Sequence, residues 1–310
     1  MHLPGGEAST KSVQRADFLV DPTTQGKNNK MSFRTVGLSL IRTVLPGSWY
    51  MALRQAYHWI FKNAFLPTLG LVERTGVTTR TLQPLPPPRL RYKIQGVSGA
   101  RAFGKGGTIC RDDIEVALGR VGIRLGDLHN VLDFGCGCGR TLIPLSRSFP
   151  DMRLFGTDID EEAVAWCGRE LKGLSVSVNG PAPPLAYPDS AFDLVYAISV
   201  FTHLDEQLQY EWLDELSRVT KPGGYLLATI HGPSSWSSVP TGQRESLKKK
   251  GFLFFKTDIM KGFLPDWYQA AYHSEEYVRQ NWTRRFQVVC YQPKGMMNYH
   301  DVVILQRERG

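Results

Sequence analysis

From residue 130 onward the apolar positions fall into short runs separated by amphipathic stretches. The runs near 130–134, 153–157, 175–178, 192–198 and 225–231 have the length of strands, and helix-period segments lie between them. That alternation predicts a parallel sheet with right-handed crossovers. Two last runs, near 286–292 and 301–306, are joined only by Gly295-Met-Met-Asn-Tyr-His300. A connection this short makes adjacent strands antiparallel. The expected fold class is therefore α/β, a seven-stranded, mostly parallel sheet with an antiparallel C-terminal hairpin strand.

Upstream the pattern changes. Residues 1–30 are polar and without periodicity and are expected to be disordered. Met31 offers an alternative start, with a basic, hydroxyl-rich stretch after it. Ser48 is a suitable N-cap for a helical pattern running to Phe65, which Pro67 is expected to end. Trp49, Leu53, Ala56, Ile60 and Ala64 share one face, while Arg54, His58 and Lys62 form a polar stripe. Such a helix packs on the following domain or lies on a membrane surface with its cations toward lipid phosphates, so 48–65 is a candidate membrane contact. The run Pro84 to Pro88 reads as a stiff, extended linker. Gly96 to Gly107 reads as a glycine-laden loop leading into a helix from about Asp112 to Leu118. The expected organisation is a disordered segment 1–30, a helical extension and linker 31–95, and a main domain 96–310. Residues 233–285 form an insertion within that domain, before the closing hairpin.

The chain is organised around Val131-Leu-Asp-Phe-Gly-Cys-Gly-Cys-Gly-Arg140, an apolar strand entering a turn with glycines at 135, 137 and 139. Glycine lets the backbone turn sharply and approach a ligand, and the helix that follows offers free N–H groups. Asp158 ends the next strand, 23 residues past Gly135, where a carboxylate can accept both hydroxyls of a ribose. The spacing Gly-x-Gly-x-Gly, with Asp133 inside the strand end, departs from the dinucleotide fingerprint Gly-x-Gly-x-x-Gly.

Four stretches together resemble the class I S-adenosylmethionine (SAM) dependent methyltransferases. They are the turn Asp133–Gly139, the acidic Asp158, the segment Tyr187–Leu204, and Lys221-Pro-Gly-Gly-Tyr-Leu-Leu-Ala-Thr-Ile-His231. The resemblance runs from about Ile109 to the C-terminus and is closest to the broad small-molecule group. It implies a Rossmann-like seven-stranded sheet with one reversed edge strand and SAM as cofactor. It further implies a cofactor site made of Asp133, Gly135, Cys136, Gly137, Gly139, Asp158, Ile159, Asn179, Ile198 and Ser199. Asn179 stands where many relatives place an Asp for the adenine. Arg101 and Arg111 could reach the methionine carboxylate if the glycine-rich loop closes over the cofactor. Ala197–Leu204 is not the tetrapeptide used for exocyclic amines. His203 and His231, at the C-terminal ends of strands, are candidate general bases. The aromatic-rich insertion suggests a pocket for a small-molecule acceptor, sugar- or lipid-linked, with Tyr272 and His273 in its wall.

Charge sharpens this reading. The net charge of +8 is unevenly spread, since residues 1–100 hold 13 Lys/Arg against 4 Asp/Glu and the remainder is nearly balanced. The basic excess thus belongs to the extension. It leaves two rivals to a small-molecule enzyme. One is a non-catalytic protein of the same fold docked to a membrane or partner. The other is an RNA methyltransferase, disfavoured because stacking aromatics are sparse before Trp49. The five cysteines form no framework and suit a reducing, cytoplasmic setting. Cys136 and Cys138 lie between glycines with no second ligand pair, so no metal is expected.

Overall fold

Val131 and Leu132 are wholly buried although their side chains point to opposite faces. The reason is their place inside a sheet covered on both sides. In the computed structural model, which describes residues 56, 59–74, 84–96, 98–255 and 269–309, β1 (Asn130–Phe134) pairs in parallel with β2 (Arg153–Asp158) and with β4 (Phe192–Ala197). Strand β3 (Ser175–Val178) extends the sheet beyond β2, and β5 (Thr220–Ile230) beyond β4, both in parallel. Strand β9 (His300–Arg307) runs antiparallel to β5, and β8 (Phe286–Met296) antiparallel to β9. The order is β3-β2-β1-β4-β5-β9-β8. This is the expected Rossmann-like sheet, and its one reversed strand, β9, lies between β5 and the edge strand β8.

The chain leaves β1 toward β3 and then returns to place β4 on β1's other side. Crossovers of opposite direction part at that junction, and ligands of open α/β sheets bind in the crevice it leaves at the strands' C-terminal ends. One face of the sheet packs on α3 (Ala100–Gly119) and α4 (Leu142–Ser148), through Ile114, Leu118, Leu142 and Leu145. The other packs on α6 (Glu206–Val219) through Trp212 and Leu216. Helix α5 (Glu161–Glu170) follows β2 and buries Ala163, Trp166 and Cys167.

Three expectations upstream of β1 are corrected. The segment Gly96–Gly107 is not a loop, because helix α3 already begins at Ala100. Of its glycines, Gly107 serves close packing, since a Cβ there would stand 2.1 Å from the backbone oxygen of Arg140, whereas Gly96, Gly99 and Gly104 face open space. Pro88 does not continue a linker but opens α2 (Pro88–Gln95), occupying a first-turn position where a missing N–H costs nothing. Nor does Pro67 end the preceding helix. A π-turn over Phe61–Phe65, closed by the Leu66 N–H on Phe61 O, leads into α1 (Leu66–Arg74) with Pro67 in its first turn. The expected disorder of 1–30, the start at Met31 and most of the helical pattern from Ser48 lie outside the described residues.

The insertion after β5 contains α7 (Thr241–Lys250), the antiparallel pair β6 (Phe252–Phe255) and β7 (Ala270–His273), and α8 (Glu275–Asn281). Lys248, Lys249 and Lys250 form the exposed last turn of α7, where cations complement the helix dipole. Strand β7 also bridges in parallel from Tyr272 to His231, so the insertion is stitched to the end of β5. Among the described residues no helix is long and apolar enough to cross a membrane.

Candidate active site

The turn after β1 is held by β2. Gly135, Gly137 and Gly139 all adopt positive φ, a conformation costly to any residue with a Cβ. The N–H groups of Gly135 and Cys136 donate to Thr157 O at 2.8 and 3.0 Å. Gly137 N–H donates to Asp158 Oδ2 at 2.7 Å, and Asp160 N–H donates to Asp158 Oδ1 at 2.8 Å. Both oxygens of Asp158 are thereby fixed, and each keeps a second lone pair for a ligand hydroxyl. Burial raises the Asp158 carboxyl above its usual range, an effect its two backbone donors oppose. Asp160 caps α5, accepting from the N–H groups of Glu162 and Ala163.

A cavity of about 810 Å3 opens at the C-terminal ends of β1, β2 and β4. Of the residues expected from sequence, Asp133, Gly135, Cys136, Asp158, Ile159, Asn179, Ile198 and Ser199 line it, and so does His203. Gly137 and Gly139 act behind this wall. A Cβ on Gly137 would stand 2.3 Å from Ile94 Cδ1 of α2, and one on Gly139 2.6 Å from Leu171 Cδ1. The Asn179 side chain is engaged with Thr157 Oγ1 at 3.0 Å and Gly180 O at 2.7 Å. Ser199 adopts φ of +61°, with its N–H on Thr229 Oγ1 at 2.7 Å.

The lining is acidic. Asp133, Asp158, Asp160, Glu161, Glu162 and Asp205 face it, against Lys93 and Arg140. Burial pushes the Asp133 carboxyl up to about 8; the Tyr196 hydroxyl beside it opposes that rise, and the Asp158 charge adds to it. A carboxyl buried in this way becomes ionised when a cation arrives. SAM, with its ammonium and sulfonium groups, is such a ligand, and the open lone pairs of Asp158 suit the hydroxyls of a ribose. The donor set therefore fits that cofactor.

His203 Nδ1 lies 2.7 Å from the carbonyl oxygen of Gln269, and His231 Nδ1 3.1 Å from that of Ala271. A carbonyl only accepts, so each neutral ring carries its proton on Nδ1 and a lone pair on Nε2. His203 Nε2 is 3.4 Å from Ser199 Oγ. Burial holds His203 down at about 3 and His231 at about 4, so both are neutral at ordinary pH.

The two histidines are not equivalent. His231 does not line the cavity but sits behind His203, their ring centroids 6.2 Å apart, with Tyr272 stacked on it at 4.9 Å. Nor do Tyr272 and His273 line this cavity. Strand alternation turns Tyr272 onto His231 and Phe255. It sends His273 into the core, where its Nε2 is 2.9 Å from Gln209 Oε1. Arg101 is exposed, and Arg111 is tied to Asp112 and Ser148, so neither reaches the cavity.

Sequence reasoning missed several lining residues, among them Lys93 and Ile94 of α2, Arg140, and Phe254 of β6. Lys93 is ion-paired with Asp160, and Arg89 Nη2 lies 3.9 Å from Glu162 Oε2, so α2 is latched to the first turn of α5. A proline at a helix start was the available signal for α2.

The strand order and the acidic glycine turn define a class I SAM-dependent methyltransferase fold with its cofactor crevice. Residues 131–224 match the family model of the methyltransferase domain. The chain is similar to the fatty-acid O-methyltransferase of Mycolicibacterium smegmatis, 36% identical over 33% of this chain and 37% of that protein. It is also similar to ajmaline N-methyltransferase of Rauvolfia serpentina, 32% identical over 37% of this chain and 42% of that protein. A solved SAM-dependent methyltransferase from Methanosarcina mazei shares 22% identity and a TM-score of 0.45, over 58% of this chain and 93% of that one. The matches thus span about two fifths of the length of these curated relatives.

Proposed function

We propose that the chain transfers the methyl group of SAM to an oxygen or nitrogen atom of a small-molecule acceptor, one that can be sugar- or lipid-linked. The observation that carries this reading is His203, a neutral imidazole on the cavity wall whose tautomer is fixed by Gln269 O. Asp158 holds the ribose hydroxyls, Asp133 faces the ligand's positive charge, and the turn Gly135–Gly139 supplies the close backbone. When bound, SAM provides an electrophilic methyl carbon and a sulfur that leaves uncharged. His203 Nε2 accepts the acceptor's proton as the new bond to carbon forms. The positive charge lost at sulfur then reappears on the imidazole, so the acidic cavity keeps its charge balance. Proton transfer by a positioned side chain contributes about 10²–10⁴-fold.

The test is transfer from methyl-labelled SAM into a panel of alcohols and amines, with His203→Gln beside the wild type. Retained SAM binding with turnover lost supports the role of His203. Full activity in the variant removes it. Support for a lipid-surface contact comes from α1 and the turn before it, where Trp59, Ile60 and Leu71 are 66%, 56% and 63% exposed. Cosedimentation with anionic vesicles, before and after Leu71→Glu, tests that contact.

A further inference from the structure

We propose that the acceptor has an uncharged or cationic head group, a hydroxyl or an amine, on an aliphatic body, and that a free carboxylate is refused. This rests on the methyltransferase reading above and names the substrate class for the same cavity.

The body is read from the wall beside His203. Val200, Leu204 and Leu208 follow one another at four-residue steps, through the turn after β4 into the first turn of α6, and all three line the cavity. Phe254 of β6 joins them. It is held there because it pairs with Ala271, whose N–H donates to Thr202 O at 2.8 Å. The two sides are thus fastened to each other, and the slot between them is apolar. An alkyl chain gains by leaving water for such a slot, at roughly 0.8 kcal/mol for each buried CH2.

The head group is read from Asp205. A helix N-terminus ordinarily attracts an anion. At α6 that place is taken: Asp205 Oδ1 accepts the Leu208 N–H at 2.9 Å, and Glu206 adds a second carboxylate to the first turn. Among the described residues lining the cavity, Ser199 Oγ lies 3.4 Å from His203 Nε2, and Asp205, two positions along the chain from that histidine, lines it too. An acceptor carboxylate would lose its hydration to meet a like charge. A hydroxyl or ammonium can donate to the second oxygen of Asp205 or to His203 Nε2. The slot therefore selects by charge as well as by shape.

The experiment is calorimetric and needs no turnover. Octanol, octylamine and octanoate are titrated into the protein saturated with S-adenosylhomocysteine. Octanol and octylamine should bind at least about tenfold more tightly than octanoate, equivalent to 1.4 kcal/mol. Asp205→Ser keeps an N-cap side chain while removing the charge. It should raise octanoate affinity toward that of octanol and lower that of octylamine. Leu208→Trp fills the slot and should weaken all three ligands, leaving the affinity for S-adenosylhomocysteine as it was. Octanoate binding as tightly as octanol in the wild type overturns the proposal, as does a ranking that Asp205→Ser leaves unchanged. Failure to bind S-adenosylhomocysteine overturns the methyltransferase reading alone. The three ligands titrated without it then still decide the slot.

Discussion

His203 donates its Nδ1 proton to the carbonyl oxygen of Gln269 across 2.7 Å. The donor stands just after β4 and the acceptor just before β7, 66 positions further along the chain. The inserted strand therefore sets the protonation pattern of a side chain in the main crevice. His231 is held in the same way by Ala271 O. Two alternate carbonyls of one short segment thus fix both rings.

Replacing His203 by Gln should lower turnover about 10²–10⁴-fold. Calorimetric affinity for SAM should hardly change, since the cofactor's polar contacts are assigned to Asp133 and Asp158. The loss should persist at saturating acceptor, which places it in kcat rather than KM.

Stability should fall in mild acid. His203 and His231 are neutral when folded, with values of about 3 and 4, but titrate near 6.5 when unfolded. As pH falls below 6.5 the unfolded chain takes up protons that the folded one refuses, so each group's contribution is full above that value and declines toward its folded value. At pH 5 each costs about 2 kcal/mol relative to neutral pH. Urea denaturation at pH 7.5 and pH 5 should show this loss, with a shallower pH slope in His203→Gln.

Cofactor binding should release a proton from Asp133. Burial raises this carboxyl to about 8, so it is largely protonated at pH 7 and ionises when a cation binds. Calorimetry of SAM in buffers of different ionisation enthalpy should reveal the release, and Asp133→Asn should abolish it. The same variant should make the ligand-free protein more stable at pH 7, because the unfolded wild-type chain gains by ionising there.

Asp158→Ala should weaken SAM by roughly 2–3 kcal/mol, the range for lost hydrogen bonds to a charged group. It should also free the Gly137 and Asp160 N–H groups. Amide exchange at both should quicken in the variant, and unchanged exchange would contradict the turn's dependence on β2.

Gly137→Ala should destabilise through two separable effects. Its Cβ would stand 2.3 Å from Ile94 Cδ1, and its φ is +52°. Adding Ile94→Ala should relieve the contact but not the backbone cost of about 1–2 kcal/mol. A double-mutant cycle by thermal denaturation reads the difference.

The sheet was legible in the sequence because its signals are local. An apolar run such as Val131–Phe134 makes a strand whatever surrounds it, and glycines at 135, 137 and 139, followed 23 residues after Gly135 by a strand-ending aspartate, are visible without coordinates. By contrast, Gly107 and Pro88 read locally as breakers. Only the approach of the Arg140 backbone to Gly107, and the place of Pro88 in a first turn, make them parts of helices. Long-range placement decided the rest. His203 and His231 look alike in sequence, each near the end of a strand, yet only His203 reaches the cavity. Tyr272 and His273 are turned inward by the pairing of β6 with β7 and the bridge to His231. Local chemistry determined the glycine turn, whereas pairing between distant segments decided which side chains face the cavity.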